Sequence, residues 1–360
     1  MFLAINEIKA SKFRYGLIVG LLFLVAYLMF FLSGLAYGLI QENRSAIDLW
    51  KADKVFLSKN ANNTLNLSTL DIKDKEKIEA SHVSALAQMN TVVWNKKDPK
   101  ESEKEKVSIF GINPNEFLKP KMMKGQAISS DEEVVIDQSL AKRSGFDIGD
   151  SLFLANSDQS LKIVGISQKA TFNVSPVIYI SLDGFQKLTP MSSGKYGNNS
   201  QKLNAFVVKG HLNSYDKEKF QILSIKSFIN KLPGYSAQTV TFGFMIGFLI
   251  VISAIIIGIF MYVLTIQKAP IFGVMKAQGI SNKTIANAVL SQTFLLSLIG
   301  SVLGLVVNWL TSLLLPETVP FLGNWYFYAL IFMSIILFSL LGTLFSVLAI
   351  VRIDPLKAIG

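Results

Sequence analysis

Apolar and polar positions follow different rhythms in different parts of the chain. Four stretches, Tyr15 to Gln41, Val240 to Gln267, Ile285 to Pro316 and Trp325 to Val351, contain no Asp, Glu, Lys or Arg. Each exceeds the roughly 20 residues a helix needs to cross a hydrocarbon core, and lipid offers backbone amides no partner outside the helix. They predict transmembrane helices at 15–41, 240–267, 285–316 and 325–351, with an external loop at 317–324. Between the first two lies 42–239, where two-residue alternation and turn signals predict strands in Val134 to Leu154, Leu161 to Ile166, Ser175 to Leu182 and Asn204 to Gly210. These define a β-rich lobe at about 130–205, inserted into an α/β lobe whose flanks, Ser68 to Ser81 and Ser214 to Leu232, read as helical. Between the second and third runs, 268–284 predicts a short helix. Pro270 suits its first turn, Gly279 its end, and Ser281 the cap of the next helix.

Charge sets the topology. Outside 42–239 the basic residues are Lys9, Lys12, Arg14, Lys268, Lys276, Lys283, Arg352 and Lys357. All flank the same side of the four spans, so the positive-inside rule puts both termini, 1–14 (read as a short helix) and 352–360, in the cytoplasm of a plasma-membrane protein. The large domain is then extracellular, and its 27 Lys or Arg against 22 Asp or Glu do not oppose this, since long domains translocate largely regardless of charge. The first uncharged run is too long for a signal-peptide core and reads as a retained anchor. The chain's net charge of +10 follows from this topology and from the domain, so no nucleic-acid partner is expected.

Candidate chemistry is sparse. There is no cysteine, which excludes disulfides and thiolate metal sites, and only His82 and His211 offer imidazole, so no metal centre is expected. Lys96 to Lys106 reads as a solvated loop, and Glu132 with Glu133 or Asp147 with Asp150 as surface and turn carboxylates. The spans hold no charge for a proton relay. No phosphate loop is present either: the nearest string, SSGKYG at Ser192 to Gly197, lacks the first glycine. The chain is therefore expected not to be an enzyme, and any work it performs is driven from elsewhere. Ile271, Val274 and Met275 recur at helical spacing beside Lys276, a face that fits either a partner's groove or the lipid interface.

VMKAQGIS, ending at Ser281, with Thr284 and Ile285 following, resembles the cytoplasmic helix of FtsX-like permeases of the MacB type, the type VII ABC permeases. EIKASKFR (Glu7 to Arg14), DQSLAKRSGFDIGDSLFL (Asp137 to Leu154) followed by IVGI, and RIDPLKAIG (Arg352 to Gly360) resemble the same family. The resemblance implies a membrane protein of four transmembrane α-helices with a large extracytoplasmic α/β domain containing a β-rich inserted lobe. It also implies a homodimer in the bilayer, bound to two copies of a separate ATPase that holds the ATP, with Ile271, Phe272, Val274, Met275, Lys276 and Gly279 in the coupling helix. ATPase closure would reshape the external domains by mechanotransmission. Many members carry an acidic residue after the lysine of this loop, where this chain has Lys268-Ala269-Pro270.

Within the family, the run from Ile5 to Leu39 and IQKAPIFGVMKAQGIS look most like haem-exporting and DevC-like permeases. That likeness implies no intrinsic cofactor and haem, or a similar hydrophobic compound, exported from the outer leaflet. The alternative is an FtsX-like regulatory permease that transmits ATPase strokes to an extracellular hydrolase or sensor. Haem iron accepts Met or Tyr ligands, so the candidates at the outer leaflet are Met29, Tyr37, Met245, Tyr235 and Glu42, with Phe30, Phe31 and Phe242 to sandwich the ring. The same aromatic positions also fit membrane anchoring. Gly16, Gly20, Phe23, Tyr27, Phe31, Gly34 and Gly38 share one stripe, whose Gly16/Gly20 and Gly34/Gly38 steps, like Gly243/Gly247 and Gly300/Gly304, suit close helix packing.

Overall fold

The computed structural model describes residues 11–96, 98–155, 157, 159–189, 201–316 and 318–351. The tail at 352–360, the first half of EIKASKFR (7–10) and the SSGKYG string lie outside the described residues. The chain divides into two compact units, Leu39–Gln238 and, from both ends of the sequence, Met1–Gly38 with Thr239–Gly360.

The elements in chain order begin with α1 (Lys12–Trp50), β1 (Lys54–Ser58), β2 (Leu70–Asp71), β3 (Ile78–Trp94), β4 (Glu105–Ile112), β5 (Met122–Gly125) and β6 (Glu133–Asp137). There follow α2 (Gln138–Ser144), β7 (Ser151–Leu154), β8 (Ser160–Ser167), β9 (Thr171–Phe172), β10 (Ser175–Ser181) and α3 (Leu182–Leu188). The rest are β11 (Lys202–Leu203), β12 (Ala205–Tyr215), β13 (Phe220–Ser224), α4 (Ile225–Asn230), α5 (Tyr235–Gln267), α6 (Ala269–Ala277), α7 (Asn282–Leu314) and α8 (Trp325–Val351).

In the first unit, nine strands of one 11-stranded sheet run β13-β1-β12-β3-β4-β10-β6-β8-β5, with β7 and β9 off this path, β9 pairing with β10. Its long strand β3 pairs with β12 and β4, and at Val93 and Trp94 also with Leu154 and Phe153 of β7, which pairs with β8. The pairing therefore closes a ring, β3-β4-β10-β6-β8-β7 and back to β3, which removes its edges. Val107, Ile109, Val134, Ile136, Ile163, Ile178 and Ile180 belong to the apolar core of this region. The stretch expected as a β-rich lobe supplies β6, β7, β8 and β10, while β3 and β4, earlier in sequence, complete the ring. Next to it, the C-terminal end of α1 (Ala46, Ile47, Trp50) and α4 (Phe228, Ile229) pack with Val55, Leu57 and Val207 of β1 and β12.

Two expectations of helix are corrected. Ser68 to Ser81 holds only a 3-10 turn at Ile72–Lys77, capped reciprocally by Asp71 and Asp74, before β3 begins at Ile78. Ser214 to Leu232 is the end of β12, then β13 and the six-residue α4. In both places strand pairing outweighs the local preference of the Lys- and Glu-rich sequence for helix. The Asp216 carboxylate accepts from the Glu218 and Lys219 amides in the turn that sends β13 back along β1.

In the second unit, α1, α5, α7 and α8 are each long and apolar enough to cross a membrane. Tyr15, Ile18 and Leu22 of α1 share an apolar core with Ile257, Met261 and Leu264 of α5 and with Ile285, Val289 and Leu296 of α7. A second cluster joins Ala26, Met29 and Phe30 to Tyr328, Ile331 and Ile335 of α8.

Candidate functional site

The short helix α6 is built as its sequence suggests: Pro270 lies in its first turn, Gly279 follows it at φ +86°, and the Ser281 hydroxyl accepts from the Thr284 amide, 3.2 Å away, to cap α7. Its predicted partner face divides in two. Ile271 and Val274 are 57% and 44% exposed, whereas Phe272 is buried among Tyr15, Leu264 and Ile285, and Met275 packs partly on the same cluster. Lys276 is partly buried and Gly279 exposed. The most exposed large apolar residues of α6 are thus Ile271 and Val274, with Met275 only partly covered. Ahead of α6, Lys268 donates from its ammonium to the Tyr15 hydroxyl at 2.7 Å and stands 5.4 Å from the centre of that ring.

The glycine steps also divide. A Cβ at Gly300 would lie 2.6 Å from that of Leu22, and one at Gly304 2.9 Å from that of Ala26, so α7 meets α1 through these two glycines. Gly258 and Gly342 join α5 to α8 in the same way. Gly34 and Gly38, expected to receive a helix, receive instead the segment before α8: the Phe321 ring covers Gly34, the Pro320 carbonyl covers Gly38, and the Leu322 amide donates to the Gly34 carbonyl at 3.1 Å. Gly16, Gly20, Gly243 and Gly247 face open space.

Of the substrate candidates, Met29 is fully buried in the cluster that α1 shares with α8. Phe31 stacks on Tyr27 and tilts against Phe321, and Tyr37 meets Phe327 edge to face at 5.6 Å. Met245 is 41% exposed, between Phe244 and Phe248, whose rings stack 6.4 Å apart. In the other unit, Glu42 is ion-paired with Lys169 at 2.5 Å, and Tyr235 is buried with its hydroxyl accepting from Arg44 at 3.4 Å. Sequence reasoning missed a buried polar seam along α7: Gln292, Thr293, Ser297, Ser301 and Asn308 are all buried. Asn308 donates to the Tyr328 hydroxyl at 3.2 Å, and the Thr293 and Thr343 hydroxyls are 3.1 Å apart. Its signal was the four-residue spacing of Thr293, Ser297 and Ser301, with Asn308 seven residues further on, which a search for charged groups passes over.

In the external domain, Glu133 accepts from the Ser129 hydroxyl and amide and from the Ser130 amide, contacts that hold it below the usual carboxylate range. Asp150 accepts from the Asp147 amide at 3.0 Å, a turn. Asp137, fully buried, caps α2 through the Ser139 and Leu140 amides and reaches the Ala170 amide. Burial pushes its carboxyl up, and these donors offset part of the rise.

The profile of the MacB-like periplasmic core domain matches residues 15–210, more than half of the chain, and that of the FtsX-like permease C-terminal region matches 243–355. The chain belongs to the FtsX-like permeases of the MacB type. Two relatives carry the name of hemin transport system permease protein HrtB. That of Staphylococcus haemolyticus (strain JCSC1435) is 29% identical over 366 residues, covering 100% of this chain and 99% of that protein. That of Staphylococcus epidermidis (strain ATCC 12228 / FDA PCI 1200) is 27% identical with the same coverage. Among solved structures, the periplasmic region of MacB from Actinobacillus actinomycetemcomitans is similar at 13% identity and a TM-score of 0.35, covering 52% of this chain and 94% of that one.

Membership makes this permease a multi-pass membrane subunit of an ABC transporter, with an extracellular domain and four spans. The permease motif from Asp137 to Leu154 thereby acquires a structural meaning: Asp137 caps α2, Gly145 ends it at φ +68°, and β7 closes the ring.

Proposed function

We propose that this permease exports haem, or a hydrophobic compound like it, from the outer leaflet of the plasma membrane, driven by a separate ATPase. The observation that carries the reading is the full-length similarity to two permeases named for hemin transport. The spans fit such a substrate: they present no charged residue to an apolar ring, and the half of α5 nearest the domain exposes Phe244, Met245 and Phe248. A flat, membrane-partitioning molecule can approach that face from the side, with the Met245 thioether able to ligate iron. Phe31 and Tyr37, half-buried on α1, are the remaining contacts in the same unit.

In this reading both termini are cytoplasmic, two copies of the permease bind two copies of the ATPase, and Ile271 and Val274 enter the ATPase groove. α5 is much less buried inside the chain than α7, which leaves its face for lipid or a second copy. Mechanotransmission in place of a polar channel belongs to the same reading, since the four uncharged runs hold no Asp, Glu, Lys or Arg. Deletion and complementation test the proposal. Loss of the permease is expected to raise cellular haem and hemin sensitivity severalfold, with rescue by the intact chain. Unchanged haem content together with altered cell-wall hydrolysis overturns it in favour of a regulatory permease.

A further inference from the structure

The external domain contains a cleft of about 640 Å³. Its floor is the first half of β3, where Ile78, Ala80 and His82 alternate onto one face, and its walls are the 3-10 turn at Ile72–Lys77 and the loop carrying Glu116 and Phe117. The walls are held in place: Lys75 pairs with Glu116 at 2.7 Å, and Glu116 accepts from the Ser84 hydroxyl at 2.5 Å, tying the loop to β3. Lys209 stands directly across from His82 in the β12–β3 register, with its ammonium 6.0 Å from the centre of the Phe117 ring. His82 is exposed, and among the described residues its imidazole makes no hydrogen bond or ion pair, so nothing in the fold requires it.

We infer that this cleft is an extracellular haem station, with His82 as an axial ligand. The inference rests on the proposed function, because haem is the substrate class that uses an imidazole, an aromatic face and a cation together; of the two carboxylates that also line the cleft, Glu116 is held in its ion pair with Lys75 and Glu76 is exposed. Ile72 and Phe117 offer apolar and aromatic surface to the macrocycle, Lys209 beside the Phe117 ring offers a cation to a propionate, and the imidazole offers a lone pair to ferric iron. Ligation forms one N–Fe bond and releases the chloride or water that the iron carried, with no change of oxidation state. Haem leaving the membrane would thereby gain a strong ligand outside it, where the spans offer only thioether and phenol groups.

Hemin titration of the full-length permease, purified in detergent with any polyhistidine tag removed, tests this, because the chain has only two histidines. The expected result is an absorbance and resonance Raman signature of imidazole-ligated iron. His82→Ala should abolish that signature and weaken binding of the histidine-ligated haem at least tenfold, while His211→Ala leaves both unchanged. Phe117→Ala should weaken binding several-fold and keep imidazole ligation. Both replaced side chains lie at an open cleft, and an unchanged melting temperature shows that the variants are folded. Hemin binding to the wild type with no imidazole signature, or with a signature that survives His82→Ala, overturns the station and leaves the transport proposal standing. No hemin binding by the wild type overturns both.

Discussion

The Lys268 ammonium donates to the Tyr15 hydroxyl across 2.7 Å, joining the turn before α6 to the start of α1. Tyr15 is 2% exposed and packs in the same cluster as Phe272, so one side chain braces α6 through both its ring and its hydroxyl. Tyr15→Phe keeps the ring and its contact with the cation and is expected to cost about 1 kcal/mol. Tyr15→Ala also removes the packing and is expected to cost about 3–5 kcal/mol. Unfolding midpoints of the purified permease check the order, and equal midpoints for wild type and both variants would show that the brace carries no weight.

The divided face of α6 separates docking from folding. Ile271→Asp or Val274→Asp puts a carboxylate on an exposed position, so the permease should stay folded while recovery of its ATPase in a pull-down falls at least tenfold. Phe272→Ala should instead lower the melting temperature of the permease alone, by a loss of about 3–5 kcal/mol. Full ATPase recovery with both aspartate variants would place the contact elsewhere.

The α6 residues show how far a sequence can be read. Its ends were legible because Pro270, Gly279 and Ser281 act through local backbone geometry. Its direction was not, because Phe272 and Ile271 are both apolar and only the position of Tyr15, far away in sequence, decides which one is covered. The four spans were legible for the same local reason, since uncharged length alone forces helix. The ring closure by β7 on β3 was invisible, because it depends on a pairing about 60 residues apart that no alternation pattern encodes. Met29 reads as a ligand candidate from its depth, and only the packing of α8 makes it core.

Glycines that look alike in sequence should respond oppositely. A Cβ at Gly38 would sit 2.1 Å from the Pro320 carbonyl oxygen, a backbone atom that cannot swing aside, so Gly38→Ala is expected to cost about 1–3 kcal/mol. Gly243 has open space around its Cβ position, so Gly243→Ala should leave stability unchanged or raise it by about 0.5–1 kcal/mol through the helix backbone. Thermal unfolding in one detergent compares the two directly. A loss at Gly243 equal to that at Gly38 would mean that a second copy, or lipid held in place, fills the open face.

Asp74 ties the 3-10 turn of the cleft wall to β13's approach, and its charge makes that tie depend on pH. Its side chain is 7% exposed and accepts from the Lys219 ammonium and the Asp71 amide, with Lys77 3.6 Å away. Burial pushes its carboxyl up, but Lys219, the Asp71 amide and Lys77 together outweigh it and hold the carboxyl below its ordinary value. A folded value below the unfolded one means that the unfolded state binds more protons in between, so the stabilisation is complete above about pH 3.9 and is lost as pH falls through the folded value. Asp74→Asn removes the anion and should cost about 1.5–3 kcal/mol near neutrality, the range for hydrogen bonds to charged groups. Hydrogen exchange of peptides covering the turn and the start of β3 should therefore be roughly tenfold or more faster in the variant at pH 7, with intrinsic rates divided out. The two proteins should converge as the pH is lowered. A difference that persists undiminished in acid would assign the loss to the capping geometry of Asp74 and remove its charge from the account.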